Sequence, residues 1–344
     1  MNAIRSMKQL KEYSVKGDRP FYSANHEEII NGATTDTYFV KTDEILNKIN
    51  LQNVEVTAEI FARRPGVFAG VGEVINLLKD KDLDCWVLEE GSKFDAKEPL
   101  VRIKGKYTDF GIYETAMLGM LASSTGWATA AAEVRAVCED KPFFSFGARH
   151  VHPAVAPVME RAAIIGGANG ASCILGAKLA GQEPVGTVPH AVFLIVGDTV
   201  KVAEAYDYYM PEGERRLVLV DTFKDEAEEA LRVAKSLGDK LDGIRLDTPS
   251  ERGGVTPGLV KEVRARLDLE GHKDVKIFVS GGLNLERIQL LKEAGADAFG
   301  VGSYISGASA IDMTMDIKEV EGKLVAKRGR IPGITNSARL NKVI

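Results

Sequence analysis

Charged residues stand where several apolar stretches of this sequence end. Arg149 follows FFSFG, Asp221 closes LVLVD, and Arg245 and Asp247 end GIRLD. In a parallel sheet these positions share one edge, where arginines bind phosphates and carboxylates bind ribose hydroxyls or Mg²⁺. Each also has a structural interpretation. Asp221 could cap the next helix, as could Thr222, and Arg245 could form a rim salt bridge with Asp247. Together they indicate a pocket for a phosphorylated, hydroxyl-rich substrate.

Two glycine turns add phosphate-binding character to the same edge. Residues 275–307 predict strand, turn, helix, strand and turn, with Gly281 and Gly282 in the first turn and Gly300 and Gly302 in the second. Small residues let backbone amides approach a ligand closely. The alternative is that these glycines only make tight turns.

Aromatic residues lie next to Arg149. Phe144 and Phe146 alternate with Ser145, so both should face one side of a strand. An aromatic face beside an arginine suits a flat aromatic carboxylate. The alternative is a pair of core phenylalanines next to a surface arginine.

Three further residues are candidates with plain structural alternatives. His190 ends GTVPH, after a predicted strand at 184–188, and is the best-placed histidine. Asp36 could cap a helix, and Tyr38 could be a half-buried aromatic. A Schiff-base lysine is not indicated, because Lys276 should alternate outward from its strand.

The order of the predicted elements positions these residues. After a long helix at 112–138 the pattern alternates strand and helix, with strands at 143–147, 184–188, 217–221, 243–247, 276–280 and 298–302 and a short one near 170–174. Such alternation is typical of a parallel α/β barrel, here an incomplete, TIM-like one. Residues 1–112 form a smaller α/β domain, and 113–310 form the barrel. A hairpin around Gly322 brings 311–344 back to the first domain, with the last dozen residues frayed.

Composition excludes several classes of protein. The net charge of −5 leaves no electrostatic footprint for nucleic acid. The three cysteines are far apart and form no CxxC pair, which fits the reducing cytoplasm and no zinc site. The N-terminus lacks a signal-peptide core, and the uncharged stretch between Glu114 and Glu133 is too rich in small residues for a membrane span.

Several motifs in order resemble the nicotinate phosphoribosyltransferase family, of the type II phosphoribosyltransferases. They are TTDTYF, FSFGARHVHP, GTVPHA, IRLDTPSERGG, SGGLN and FGVGSYIS, and the resemblance covers about residues 20–333. It implies transfer of the phosphoribosyl group of phosphoribosyl pyrophosphate to nicotinate, in NAD biosynthesis. It also implies a homodimer or larger assembly with shared active sites.

The resemblance also implies roles for single residues. Phe146 and Tyr38, the latter from a neighbouring subunit, would sandwich the pyridine, and Arg149 would pair with the substrate carboxylate or a phosphate. Arg245 and Asp247 would hold phosphate and ribose. Three further implied features are Asp221 near the ribose and Mg²⁺, Asp36 near Tyr38 as a substrate-binding residue, and a 5′-phosphate cradle at Gly281, Gly282, Gly300 and Gly302.

Cofactors and rival activities complete the expectations. Mg²⁺ is expected on the pyrophosphate. ATP is a candidate co-substrate of a ligase-type reaction, because His190 lies where many members have a histidine that ATP phosphorylates. No zinc is expected. The nearest rival is a quinolinate phosphoribosyltransferase, which decarboxylates its substrate and should have a more basic pocket. A phosphate-binding barrel lyase is a more distant one.

Overall fold

The structure is a computed structural model that describes residues 3–15, 17 and 19–344. It divides into two compact units, 1–129 with 309–344 and 130–308. The division falls inside one long helix, whereas the bounds predicted from the sequence place the break before that helix.

Helices and strands alternate one by one between residues 199 and 320, whereas elsewhere they come in groups. The helices are α1 Met7–Glu12, α2 His26–Ile30, α3 Thr37–Lys48, α4 Val71–Leu78, α5 Tyr107–Phe110, α6 Glu114–Cys138, α7 Ala156–Ile165, α8 Ile174–Leu179, α9 His190–Val196, α10 Thr199–Tyr209, α11 Glu226–Leu237, α12 Pro257–Leu269, α13 Leu285–Glu293 and α14 Ser303–Ser306. The strands are β1 Glu55–Ala62, β2 Gly66–Val67, β3 Leu83–Leu88, β4 Lys93–Phe94, β5 Pro99–Lys106, β6 Phe143–Ser145, β7 Leu217–Leu219, β8 Gly243–Leu246, β9 Lys276–Val279, β10 Ala298–Val301, β11 Met313–Val320, β12 Lys323–Leu324 and β13 Leu340–Lys342.

The first unit is built on an antiparallel sheet with the order β12-β11-β1-β5-β3-β13. Its core joins apolar residues of β1, β3 and β5 to those of α3, α4 and the start of α6. The predicted hairpin is confirmed, with Glu321 and Gly322 both at positive φ in its two-residue turn. The predicted return of the tail is also confirmed, because β11 pairs with β1 along its length.

The expectation of a frayed C-terminus is wrong. Residues 340–342 form β13, which pairs with β3, and Lys342 forms an ion pair with Asp84 at 2.6 Å. The side chains of this segment are polar, but an edge strand is held by main-chain hydrogen bonds, which the side-chain pattern does not reveal.

The second unit carries the expected barrel-like α/β architecture. Its five strands are parallel in the order β6-β10-β9-β8-β7, with helices between them. A single parallel bridge from Ser145 to Ala171 marks the short strand expected near 170–174. The prediction of a strand at 184–188 is wrong, because Pro184 has no amide hydrogen to donate and the segment is irregular. One main-chain hydrogen bond, from Val185 N to Ala171 O, attaches the segment to the rest of the unit.

Helix caps place the loops that follow the strands. Asp225 accepts from the amides of Ala227 and Glu228 and so begins α11, which removes the capping role considered for Asp221. Thr256 caps α12 with proline in its first turn, as predicted.

The 114–133 stretch lies within α6, and no helix in the described ranges is long and apolar enough to cross a membrane.

Candidate active site

Arg245 is the centre of a polar network at the carboxyl ends of the parallel strands. Its Nε donates to Ser280 Oγ at 2.8 Å and one terminal nitrogen donates to Thr187 Oγ1 at 3.0 Å. The other lies 3.4 Å from Asp247 Oδ2, while Ser280 Oγ donates to Asp247 Oδ1 at 2.7 Å. Burial lowers the pKa of Arg245 and the charge of Asp247 opposes this. The expected juxtaposition of Arg245 and Asp247 therefore exists, as an ion pair within a larger network.

An aromatic face lies beside this network. The Phe144 and Phe146 rings both stack near Phe278, with centroids 5.8 Å and 5.9 Å from its own, so the two face one side as predicted. The Arg245 guanidinium lies 5.1 Å from the Phe146 centroid. Arg149, three residues beyond Phe146, is exposed in a short 3₁₀ turn.

Asp221 and His190 form a second, carboxylate-lined part of the site. His190 Nε2 lies 2.9 Å from Asp221 Oδ2, and the Asp221 side chain is only 1% exposed. Burial raises the pKa of Asp221, the hydrogen bond from His190 lowers it, and the nearby charge of Asp247 raises it. Together with Leu194, Thr222, Asp247 and Pro249 they line a cavity of about 410 Å³.

The glycine turns close this edge where side chains would not fit. Gly281 has φ +91°, and a Cβ there would also lie 3.1 Å from Asp247 Oδ1. Gly300 lies under the aromatic face, because a Cβ would come within 2.6 Å of the Phe146 ring. Gly282 lies beside Gly281 in the turn after β9, whereas Gly300 lies inside β10 and Gly302 directly follows that strand.

Asp36 and Tyr38 belong to the first unit. Asp36 occupies the N-cap position of α3, but its side chain makes no capping hydrogen bond and instead accepts from Thr115 Oγ1 at 3.1 Å. Tyr38 is 57% exposed. The capping alternative for Asp36 thus lacks its hydrogen bond, and Tyr38 is more exposed than a half-buried aromatic.

Sequence reasoning missed several residues of this network. Ser280 was interpreted only as part of a small-residue turn, and Thr187 and Phe278 only as strand residues. Glu160 was not considered, although a lone glutamate inside the apolar run of α7 was a usable signal. Lys276 is exposed, so it points away from the site as expected.

The carboxylates could take part in binding Mg²⁺. In the described part of the chain no three His, Cys, Asp or Glu side chains cluster as a metal cage. Asp221 Oδ1, however, is buried and has no hydrogen-bond partner. Mg²⁺ commonly uses one or two carboxylates together with substrate phosphates and waters. The donor set therefore fits a metal that arrives with a pyrophosphate.

Comparison with known proteins assigns the chain to a family. The N-terminal domain model of quinolinate phosphoribosyl transferase matches residues 36–125, and its C-terminal domain model matches 127–316. The chain belongs to the quinolinate phosphoribosyl transferase family. A structure titled nicotinate-nucleotide pyrophosphorylase from Pyrococcus furiosus is 46% identical, with TM-score 0.88, covering 92% of this chain and 82% of that one. That of Ehrlichia chaffeensis, at 16% identity and TM-score 0.65, shares the fold.

The resemblance to nicotinate phosphoribosyltransferases is corrected by these matches. The nicotinate phosphoribosyltransferase pncB2 of Mycobacterium tuberculosis is 31% identical over 249 residues, covering 70% of this chain and 52% of that protein. The chain thus spans about half the length of that relative. The prediction of a phosphoribosyltransferase is confirmed, whereas nicotinate as its acceptor is wrong.

Proposed function

We propose that this chain transfers the phosphoribosyl group of phosphoribosyl pyrophosphate to quinolinate, giving nicotinate mononucleotide, pyrophosphate and CO₂. Its role would be a step of NAD biosynthesis. The observation that carries the proposal is the match of both halves of the chain to the two quinolinate phosphoribosyl transferase domains. Phosphoribosyl pyrophosphate and a pyridine carboxylate are substrates that fit this family.

Binding of the two substrates is assigned to different strand ends. The amides around Gly281, Gly282, Gly300 and Gly302 would bind the 5′-phosphate, and Asp247 with Arg245 would bind the ribose. Phe146 would lie against the pyridine ring. Arg149 would pair with a carboxylate or a phosphate, and quinolinate offers two carboxylates. It stays a prediction that Asp36 and Tyr38 of a second copy complete the site. The homodimer that this arrangement requires also stays a prediction.

Transfer requires no enzyme nucleophile. The pyridine nitrogen of quinolinate attacks C1 of the ribose as the bond to pyrophosphate breaks, so positive charge develops on the sugar. Asp221 and Asp247 would stabilise that charge from the cavity they line. The 2-carboxylate then leaves as CO₂, its electron pair stays on C2 beside the pyridinium nitrogen, and C2 takes a proton.

Two cofactor expectations carry over as parts of the proposal. Asp221 and Asp247 would help to hold Mg²⁺, which would neutralise the pyrophosphate. ATP as a co-substrate acting on His190 stays a prediction, tested by adding ATP to the assay. The hydrogen bond to Asp221 orients the His190 ring, whichever role it has.

A substrate panel tests the proposal. Phosphoribosyl pyrophosphate and Mg²⁺ are supplied with quinolinate, nicotinate or nicotinamide in turn, and the nucleotide product is identified by chromatography and mass. We expect nicotinate mononucleotide from quinolinate, and loss of turnover when EDTA removes Mg²⁺. Absence of product from quinolinate, with turnover of another pyridine, would contradict the proposal.

A further inference from the structure

Glu160 is a fully buried carboxylate near the aromatic face. It lies in α7 with 0% exposure, and five neutral groups donate to it. Oε1 accepts from Ser145 Oγ at 3.3 Å and from the amides of Gly147 and Ala148 at 3.0 Å and 3.2 Å. The Ser172 hydroxyl lies 3.1 Å from Oε1, and the amide of Cys173 donates to Oε2 at 2.6 Å.

These donors come from two separate loops at one edge of the parallel sheet. Three belong to residues 145–148, the segment that leaves β6 and contains Phe146, directly before Arg149. Two belong to residues 172–173, which follow the single bridge between Ser145 and Ala171. One carboxylate therefore fixes the backbone that carries the aromatic face and ties it to the neighbouring loop.

The chemistry of this arrangement requires an acceptor with two oxygens. Amides of Gly147, Ala148 and Cys173 can only donate, and they approach both carboxylate oxygens. A glutamine in place of Glu160 would turn its NH₂ group toward one of these donors, whichever way the amide is placed. A buried donor would then lose its partner, and the nearby loop would have to move.

We propose that Glu160 is a positioning residue for the pyridine side of the site, acting through the backbone of residues 145–148. The inference rests on the proposed function, because it assigns that segment to the pyridine substrate. The phosphate and ribose groups are assigned to β8, β9 and β10, and the hydrogen bonds of Glu160 go instead to residues 145–148 and 172–173. Its loss should therefore affect the two substrates unequally.

The kinetic test compares E160Q with E160D and with E229Q. Glu229 is the control, since it is also 0% exposed and lies in the same unit but pairs with Arg232. For E160Q we expect KM for quinolinate to rise about tenfold or more, with KM for phosphoribosyl pyrophosphate within about twofold. E160D, which keeps both acceptor oxygens, should fall between wild type and E160Q, and E229Q should leave the ratio of the two KM values unchanged.

Hydrogen exchange supplies a readout that does not depend on turnover. The amides of Gly147 and Ala148 should exchange at least about tenfold faster in E160Q than in wild type and E229Q. If wild-type protein turns over no quinolinate, the proposed function fails. Hydrogen exchange at the two amides still tests whether Glu160 holds the backbone of residues 145–148. Unchanged exchange at these amides, or an equal rise of both KM values, would overturn the inference. Should E160Q fail to fold, the same two criteria apply to E160D.

Discussion

Replacement of Arg245 by lysine keeps the positive charge of the site and removes its geometry. The guanidinium reaches Ser280 Oγ at 2.8 Å, Thr187 Oγ1 at 3.0 Å and Asp247 Oδ2 at 3.4 Å, and it lies over the Phe146 ring. A lysine ammonium is a single point that cannot occupy the positions of all three nitrogens. It would retain one of the two short hydrogen bonds and lose the planar contact with the ring.

The size of the effect follows from these losses. A hydrogen bond to a charged group contributes about 1.5–3 kcal/mol, and a cation–π contact about 0.5–2 kcal/mol. Allowing for water at the vacated positions, we expect R245K to lose about 2–4 kcal/mol of transition-state stabilisation, or about 30- to 1,000-fold in kcat/KM.

The assay is initial-rate kinetics with each substrate varied in turn, accompanied by thermal unfolding. The control is R264K, because Arg264 donates to Asp268 and to the carbonyls of Val275 and His272 away from this network. We expect R264K to lower Tm without changing kcat/KM. A change of less than about threefold in R245K, with Tm unaffected, would refute the role given to Arg245.

Three further predictions address other parts of the chain. R149A should raise KM for quinolinate by about tenfold and KM for phosphoribosyl pyrophosphate little, since a lost carboxylate pair costs about 1–2 kcal/mol; equal effects on both KM values would favour a phosphate role. G300A would place a methyl group 2.6 Å from the Phe146 ring, and overpacking of this kind lowers the free energy of unfolding by about 1–3 kcal/mol. In urea unfolding, this loss of stability should be smaller when Phe146 is also replaced by leucine, and an equal loss in the double variant would contradict the clash. Burial and two neighbouring aspartates raise the pKa of Glu114 to about 7. Between pH 4.5 and 7 the folded state thus holds a proton that the unfolded chain releases, so stability falls as pH rises, and E114Q should be more stable than wild type by about 1–3 kcal/mol at pH 8 in urea unfolding.

The sequence predicted the parallel sheet because its strands are buried on both faces. Such strands appear as short continuous apolar runs, and all four later strands were found from them. The segment 184–188 is also apolar, yet Pro184 has no amide to donate and the segment does not form a ladder, so its apolar character alone gave a wrong prediction. At the C-terminus the opposite held, because β13 is fixed by main-chain pairing that its polar side chains conceal.

The candidate site was predicted in part for a comparable reason. Asp247, Gly281, Gly282 and Gly302 follow strands, and Arg245 and Gly300 lie near strand ends, so topology alone brings them together. The roles of Ser280 and Thr187 could not be predicted, since they depend on the direction in which the Arg245 nitrogens point. Glu160 is distant in sequence from Cys173, and only the fold shows that it accepts hydrogen bonds from both loops. The acceptor was misjudged because an aromatic face beside an arginine suits any flat aromatic carboxylate, and so does not distinguish nicotinate from quinolinate.

The carbon balance of the reaction tests the central claim most directly. Quinolinate labelled with ¹⁴C in its 2-carboxylate is incubated with the protein, phosphoribosyl pyrophosphate and Mg²⁺, and trapped ¹⁴CO₂ is measured beside pyrophosphate. We predict one CO₂ per pyrophosphate, with both lost when phosphoribosyl pyrophosphate is omitted. The account would be contradicted if labelled quinolinate released no ¹⁴CO₂ while a separate incubation with nicotinate formed pyrophosphate.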